Sequence, residues 1–147
     1  MILFVDFDGV LHPNCDDAVH FSCAPALWAL LRRHPETRVV FSTGWRFERP
    51  LDELRRLVCA NGGEDLTDRF ISATPLLRHD VDERSREKDC RAWLTANGQE
   101  GESWLAIDDM PSLFTRGAAH FYHVNPRRGL MDYDMERISA VIRRAAG

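Results

Sequence analysis

Ile2-Leu3-Phe4-Val5-Asp6-Phe7-Asp8-Gly9 is the stretch that decides how this chain folds. Ile2–Val5 is apolar and short, which reads as a buried strand, and the run stops abruptly at a carboxylate. Period-two alternation places Asp6 and Asp8 on the same side if the strand continues. Gly9 then lets the backbone turn sharply. Like charges held this close repel, and they call for a cation or a shared proton. A turn that uses aspartate only as a cap is the plainer reading, and on this motif alone the two balance.

Outward from that stretch, short apolar runs alternate with helical patterns, which predicts βαβ units and a mainly parallel sheet. The expected fold is α/β, a three-layer αβα sandwich, with residues 1–147 forming one domain. The expected strands are Ile2–Val5, Arg38–Ser42, Phe70–Ala73, Ser103–Ile107 and His120–Val124. The expected helices are Pro25–Arg33, with proline in its first turn, then Pro50–Ala60, closed by Asn61-Gly62-Gly63, and Arg86–Ala96, closed by Asn97-Gly98. Met135, Ile138, Val141 and Ile142 mark the apolar face of a last helix, and Pro75–Arg86 reads as a charged surface loop. In such sheets ligands sit beyond the carboxyl ends of the strands, so chemistry is expected there.

Composition narrows the classes. The 147 residues are 44% hydrophobic and 29% charged, ordinary for a globular protein, and the net charge of −4 gives no bulk attraction to nucleic acid or anionic lipid. The apolar N-terminus is too short for a signal peptide or membrane span, so a cytoplasmic protein with no membrane partner is expected. Cys15, Cys23, Cys59 and Cys90 form no CxxC pair and no zinc-like spacing, and read as reduced thiols, a Cys15–Cys23 bridge being the less favoured alternative.

Three more signals follow strands or precede them. Asp108-Asp109 comes straight after Trp104-Leu105-Ala106-Ile107. If the two acid-tipped strands are parallel neighbours, their carboxylates converge, and oxygen-only ligands select a hard cation such as Mg²⁺. Capping by Asp109 before Met110-Pro111 explains one acid but not acids at two strand ends. Ser42-Thr43-Gly44 follows Val39-Val40-Phe41 and offers hydroxyls and backbone N–H groups to a phosphoryl oxygen, although such residues commonly end strands. Lys88, the single lysine of an otherwise arginine-only chain, is a compact point charge near a helix start. A solvated surface lysine is the ordinary alternative.

Taken in order, Asp6-Phe7-Asp8-Gly9-Val10, Ser42-Thr43-Gly44, Lys88 and Ile107-Asp108-Asp109 resemble the four motifs of the haloacid-dehalogenase-like (HAD) hydrolase superfamily, over most of the chain. Val10 stands where threonine is commoner. The resemblance implies a phosphatase in which Asp6 attacks phosphorus and Asp8 serves as acid and then base. It implies Mg²⁺ held by Asp6, the Asp8 carbonyl, Asp108 and Asp109. Thr43, or alternatively Ser42, and Gly44 would hold the phosphoryl group together with Lys88, for which Arg84 and Arg86 are neighbouring alternatives.

Neither Val10–Arg38 nor Trp45–Glu87 has room for the sizeable cap domain that many superfamily members carry, so an open site is expected. That suits a large phosphorylated substrate such as a nucleic-acid end or a phosphoprotein. Trp45-Arg46 offers a stacking surface and a second phosphate ligand, against a buried tryptophan with a salt-bridged arginine. The same pair is similar to that of small capless members found in RNA-repair proteins. His12 and His79 fall in loops beside the expected site, where solvated histidines are the commoner outcome. The order of the motifs disfavours a receiver domain, and the rival reading is a catalytically silent binding domain.

Overall fold

The computed structural model describes residues 1–75, 77 and 84–147. Its strands are β1 (Ile2–Val5), β2 (Arg38–Phe41), β3 (Phe70–Ala73), β4 (Trp104–Asp108) and β5 (Phe121–His123). They form one sheet in the order β3-β2-β1-β4-β5, and every pairing is parallel. The helices are α1 (Ala24–Arg33), α2 (Leu51–Cys59), α3 (Ser85–Ala96) and α4 (Asp132–Ala146). The expected α/β architecture is the one found.

Alternation along β1 sorts the core into two layers. Leu3 and Val5 face α1, α2 and α4, where Leu27, Leu31, Leu54, Val58, Ile138 and Ile142 cover them. Ile2 and Phe4 face α3, against Cys90, Trp93 and Leu94. Phe4 meets the rings of Trp93 and Trp104 edge-on at 5.8 and 5.6 Å, the arrangement that aromatic quadrupoles favour. With α1, α2 and α4 on one side and α3 on the other, the sheet is the middle of three layers. A central strand covered on both faces has no polar positions to spare, which is why β1 reads as an unbroken apolar run.

Helix ends follow local chemistry. Proline in the first turn and Arg32 and Arg33 in the last suit the polarity of α1. At the start of α4, Asp134 accepts the Met131 N–H at 2.8 Å and the Tyr122 hydroxyl at 2.6 Å, tying the helix to β5. Several boundaries differ from the sequence expectation by one residue, and two of them bear on the site. β2 stops at Phe41, because Ser42 already begins the turn into a 3₁₀ segment at Gly44–Phe47. β4 runs through Asp108, whose carbonyl accepts the Val124 N–H at 2.9 Å, so the carboxylate that looks like a strand end is inside the ladder.

Between β1 and α1, and between β2 and α3, the described residues make only turns, α2, β3 and short 3₁₀ segments, so no large cap is present among them. All four cysteines are free, with Cys59 and Cys90 buried. Among the described residues, no helix is long and apolar enough to cross a membrane.

Leu3 is fully buried at the centre of the middle strand. Leu3→Ala is expected to lower unfolding free energy by about 2–5 kcal/mol through lost burial and the cavity left behind. Denaturant titration followed by circular dichroism measures it.

Candidate active site

Register builds the site. Parallel pairing sets Val5 opposite Ile107, so the next residues, Asp6 and Asp108, leave adjacent strands side by side. The same strand pairs with β2, Val5 opposite Phe41, and the Ser42 N–H donates to the Val5 carbonyl at 3.1 Å. The acid pair and the hydroxyl loop therefore emerge at one sheet edge. Ligand oxygens of Asp6, Asp108 and Asp109 all lie within 4.8 Å of one another.

These acids are crowded and dry. Asp6 is buried, Asp108 is fully buried and Asp109 is half-buried. Burial pushes the Asp6 carboxyl up to about 6, with Arg86 pulling down and Asp108 pushing further up. Burial likewise pushes Asp108 up to about 6, against Arg86 and the Met110 N–H. Asp109 is raised by burial and by the charge of Asp6. Three anions that destabilise one another in this way fit a divalent cation with a preference for hard oxygen ligands.

Arg86 lies between two of them. Its Nη1 is 3.0 Å from Asp6 Oδ1 and 3.0 Å from Asp108 Oδ2. Asp6 Oδ1 also accepts the Phe7 N–H at 2.8 Å, and Asp108 Oδ1 accepts the Met110 N–H at 2.9 Å. Both named donors to Asp6 thus converge on one oxygen. Lys88, to which the basic role was assigned from sequence, is exposed on α3. Two residues along a helix is a rotation of about 200°, so Arg86 and Lys88 point to opposite sides. Arg84 precedes α3 and is exposed. It is Arg86 that meets the acids, and the helical spacing Arg86–Cys90–Trp93 was the available signal, since the latter two are buried against the sheet.

Gly9 is required twice over. Its φ is +77°, and a Cβ there would come within 2.5 Å of Asp109 Oδ2. The turn after β1 therefore passes directly beneath the third acid.

Thr43 is fully buried, and its Oγ1 accepts the Trp45 N–H at 3.2 Å, capping the 3₁₀ segment at Gly44–Phe47. Ser42 is buried beside it and Gly44 is exposed. Arg46, expected as a phosphate ligand, is turned inward instead. It donates to the carbonyls of Ser42, Thr43 and Thr74 and pairs with Asp89 at 3.0 Å, both side chains being buried. Loop carbonyls with no ladder partner need donors, and the guanidinium fork supplies several at once. Arg46 therefore shapes the hydroxyl loop from behind.

Asp8 stands apart from the three-acid cluster. Its side chain is 56% exposed, yet both oxygens are engaged: Oδ1 with His12 Nε2 at 2.9 Å, and Oδ2 with Trp45 Nε1 at 3.0 Å. Burial alone would raise the Asp8 carboxyl, but the hydrogen bonds from His12 and Trp45 outweigh it and hold it below its ordinary value. His12 is not the solvated loop histidine expected from sequence; it is 2% exposed, packed by His20, Phe21 and Trp45. Trp45 is half-buried, with the Arg49 guanidinium 5.2 Å from its ring centre. A histidine four residues after an acid, across a glycine turn, was the sequence signal for this pair. His79 lies outside the described residues.

The family model described as the HAD domain in Swiss Army Knife RNA repair proteins matches residues 2–135, a span that takes in every site residue named above. No curated protein matches the chain.

Two outcomes test this geometry. Gly9→Ala is expected to displace Asp109 and to weaken Mg²⁺ binding at least about tenfold in calorimetric titration, with the circular dichroism spectrum unchanged. Arg46→Met is expected to destabilise the fold by about 3–5 kcal/mol in denaturant melts, because it breaks a buried ion pair.

Proposed function

The chain belongs to the family of HAD domains in Swiss Army Knife RNA repair proteins, and from that premise we propose that it is a Mg²⁺-dependent phosphatase acting on a phosphate monoester through Asp6. One observation carries the reading: the carboxylates of Asp6, Asp108 and Asp109 converge at the tips of two adjacent parallel strands. Buried like charges of this kind have no structural use that a neutral pair would not serve better.

Asp6 attacks phosphorus with the oxygen that Arg86 and the Phe7 N–H leave open, and the bond from phosphorus to the leaving oxygen breaks. Asp8, protonated once the anionic phosphate lies beside it, gives its proton to that oxygen. Asp8 then takes a proton from the water that hydrolyses the aspartyl-phosphate, releasing inorganic phosphate and restoring Asp6. The Thr43 hydroxyl, with Ser42 and Gly44 beside it, binds phosphoryl oxygens, and Arg86 steadies Asp6 against Asp108. Asp6, Asp108 and Asp109 fit Mg²⁺ by number, by hardness and by crowding, with the Asp8 carbonyl as a further ligand in the family's pattern. Bound there, the ion would supply positive charge between an anionic nucleophile and an anionic phosphate. Lys88, on the exposed side of α3, serves at most the outer part of a large substrate.

The substrate we propose is the phosphorylated end of a nucleic acid. Among the described residues, no large cap covers the site. Among the described residues, the exposed large hydrophobics Val19, Phe47, Leu77, Met110 and Met131 lie in segments that follow strands, and Tyr133 lies in the first turn of α4. An open, partly apolar rim suits a macromolecular substrate better than a small metabolite. The Arg86 bridge between Asp6 and Asp108 favours one rival, a silent binding domain in which the arginine replaces the ion.

Turnover decides between them. Asp6→Asn is expected to reduce hydrolysis of an aryl phosphate by at least about 10³-fold with the fold intact, since no nucleophile remains. EDTA is expected to stop the wild type, and Ca²⁺ to restore it poorly because of its looser coordination. A folded wild type inert toward aryl phosphates and phosphorylated oligonucleotide ends, with Mg²⁺ present, establishes the silent domain instead.

A further inference from the structure

The role given to Asp8 poses a problem of geometry. A half-exposed aspartate rotates about two side-chain bonds, and each rotamer points its oxygens in a different direction. Proton transfer to a leaving oxygen needs one of them. The two donors that meet Asp8 come from different parts of the chain, His12 from the loop after β1 and Trp45 from the 3₁₀ segment after β2.

We propose that His12 and Trp45 are positioning residues that fix the Asp8 carboxylate for proton transfer, with His12 acting as a neutral imidazole locked in its Nε2–H form. This rests on the phosphatase reading above. The lock comes from the backbone. The Phe21 N–H donates to His12 Nδ1 at 3.2 Å, so Nδ1 presents its lone pair and the ring hydrogen sits on Nε2, facing Asp8 Oδ1. Trp45 has only an N–H to offer, so its direction is unambiguous.

Packing holds both rings in place. His12 is stacked on His20 with centroids 4.8 Å apart and meets Phe21 edge-on at 5.5 Å. Trp45 meets Phe7 and Phe21 edge-on at 5.3 and 5.5 Å. Phe7 itself is fully buried between Asp6 and Asp8 in the chain. The orientation of Asp8 is thereby tied to the same strand that carries the nucleophile.

Neither positioning residue gives up its proton. When Asp8 delivers its own to the leaving oxygen, it gains a negative charge that meets two N–H dipoles already aimed at its oxygens, so no reorganisation is needed. A second lone pair on each oxygen remains for the water proton in the following step. Such a role is felt most where the leaving group needs a proton most.

The experiment compares phenyl phosphate with p-nitrophenyl phosphate, two substrates of similar shape whose leaving phenols differ in acidity. His12→Leu and Trp45→Phe are each expected to lower kcat/KM at least about tenfold on phenyl phosphate, but no more than about threefold on p-nitrophenyl phosphate. His12→Gln, which returns an N–H near the same place, is expected to recover most of the loss. Equal losses on both substrates, or none, overturn the positioning role while the phosphatase reading stands. Wild type inactive on both substrates and on phosphorylated oligonucleotides overturns both together. Independently of turnover, long-range ¹H–¹⁵N spectra of the imidazoles are expected to show His12 protonated at Nε2, and a hydrogen on Nδ1 overturns the assignment.

Discussion

The in-register parallel pairing of β1 with β4 is the constraint on which everything else depends. Because Val5 sits opposite Ile107, the two following aspartates are forced out side by side into a space that excludes water. Nothing in the folding of an α/β sandwich demands acids there. Apolar residues at both places would remove the repulsion and would make the strands easier to bury. The arrangement has a penalty in stability, and the neighbouring groups are organised around that penalty.

Arg86 compensates it directly, and a second arginine secures the loop beside it. Arg86 enters from the first turn of α3 and bridges Asp6 to Asp108. Arg46 works beneath the hydroxyl loop, where it satisfies carbonyls and pairs with Asp89. A planar guanidinium with several fixed donors can do this; a lysine ammonium has one point of charge and fewer directions. The arginine-rich composition of the chain thus has a local reason at both positions. The third acid, Asp109, fits only because Gly9 has no side chain to meet it.

Strands and helices could be read from sequence because burial writes itself into periodicity. Ile2–Val5 and Phe70–Ala73 were apolar runs of strand length and fell where expected. The three acids of the cluster could be read too, since a carboxylate directly after a buried run is chemically conspicuous. Less accessible was anything that depends on which way a side chain turns. Lys88 drew attention by being the single lysine, but rarity carries no information about facing, and helical spacing favours Arg86. Trp45-Arg46 looked like a pair with a shared task, yet a 3₁₀ turn sends the indole toward Asp8 and the guanidinium into the interior. His12 looked solvated because its loop is polar, whereas the turn at Gly9 folds it back onto Asp8.

Diffraction from crystals soaked in Mn²⁺, recorded at a wavelength where manganese scatters anomalously, asks whether Asp6 and Asp108 hold one divalent ion between them. A single strong peak is expected within ligand distance of carboxylate oxygens from both Asp6 and Asp108, lost in Asp108→Asn crystals. A saturating soak that leaves those two residues joined only by Arg86, with manganese elsewhere or nowhere, would contradict a shared ion.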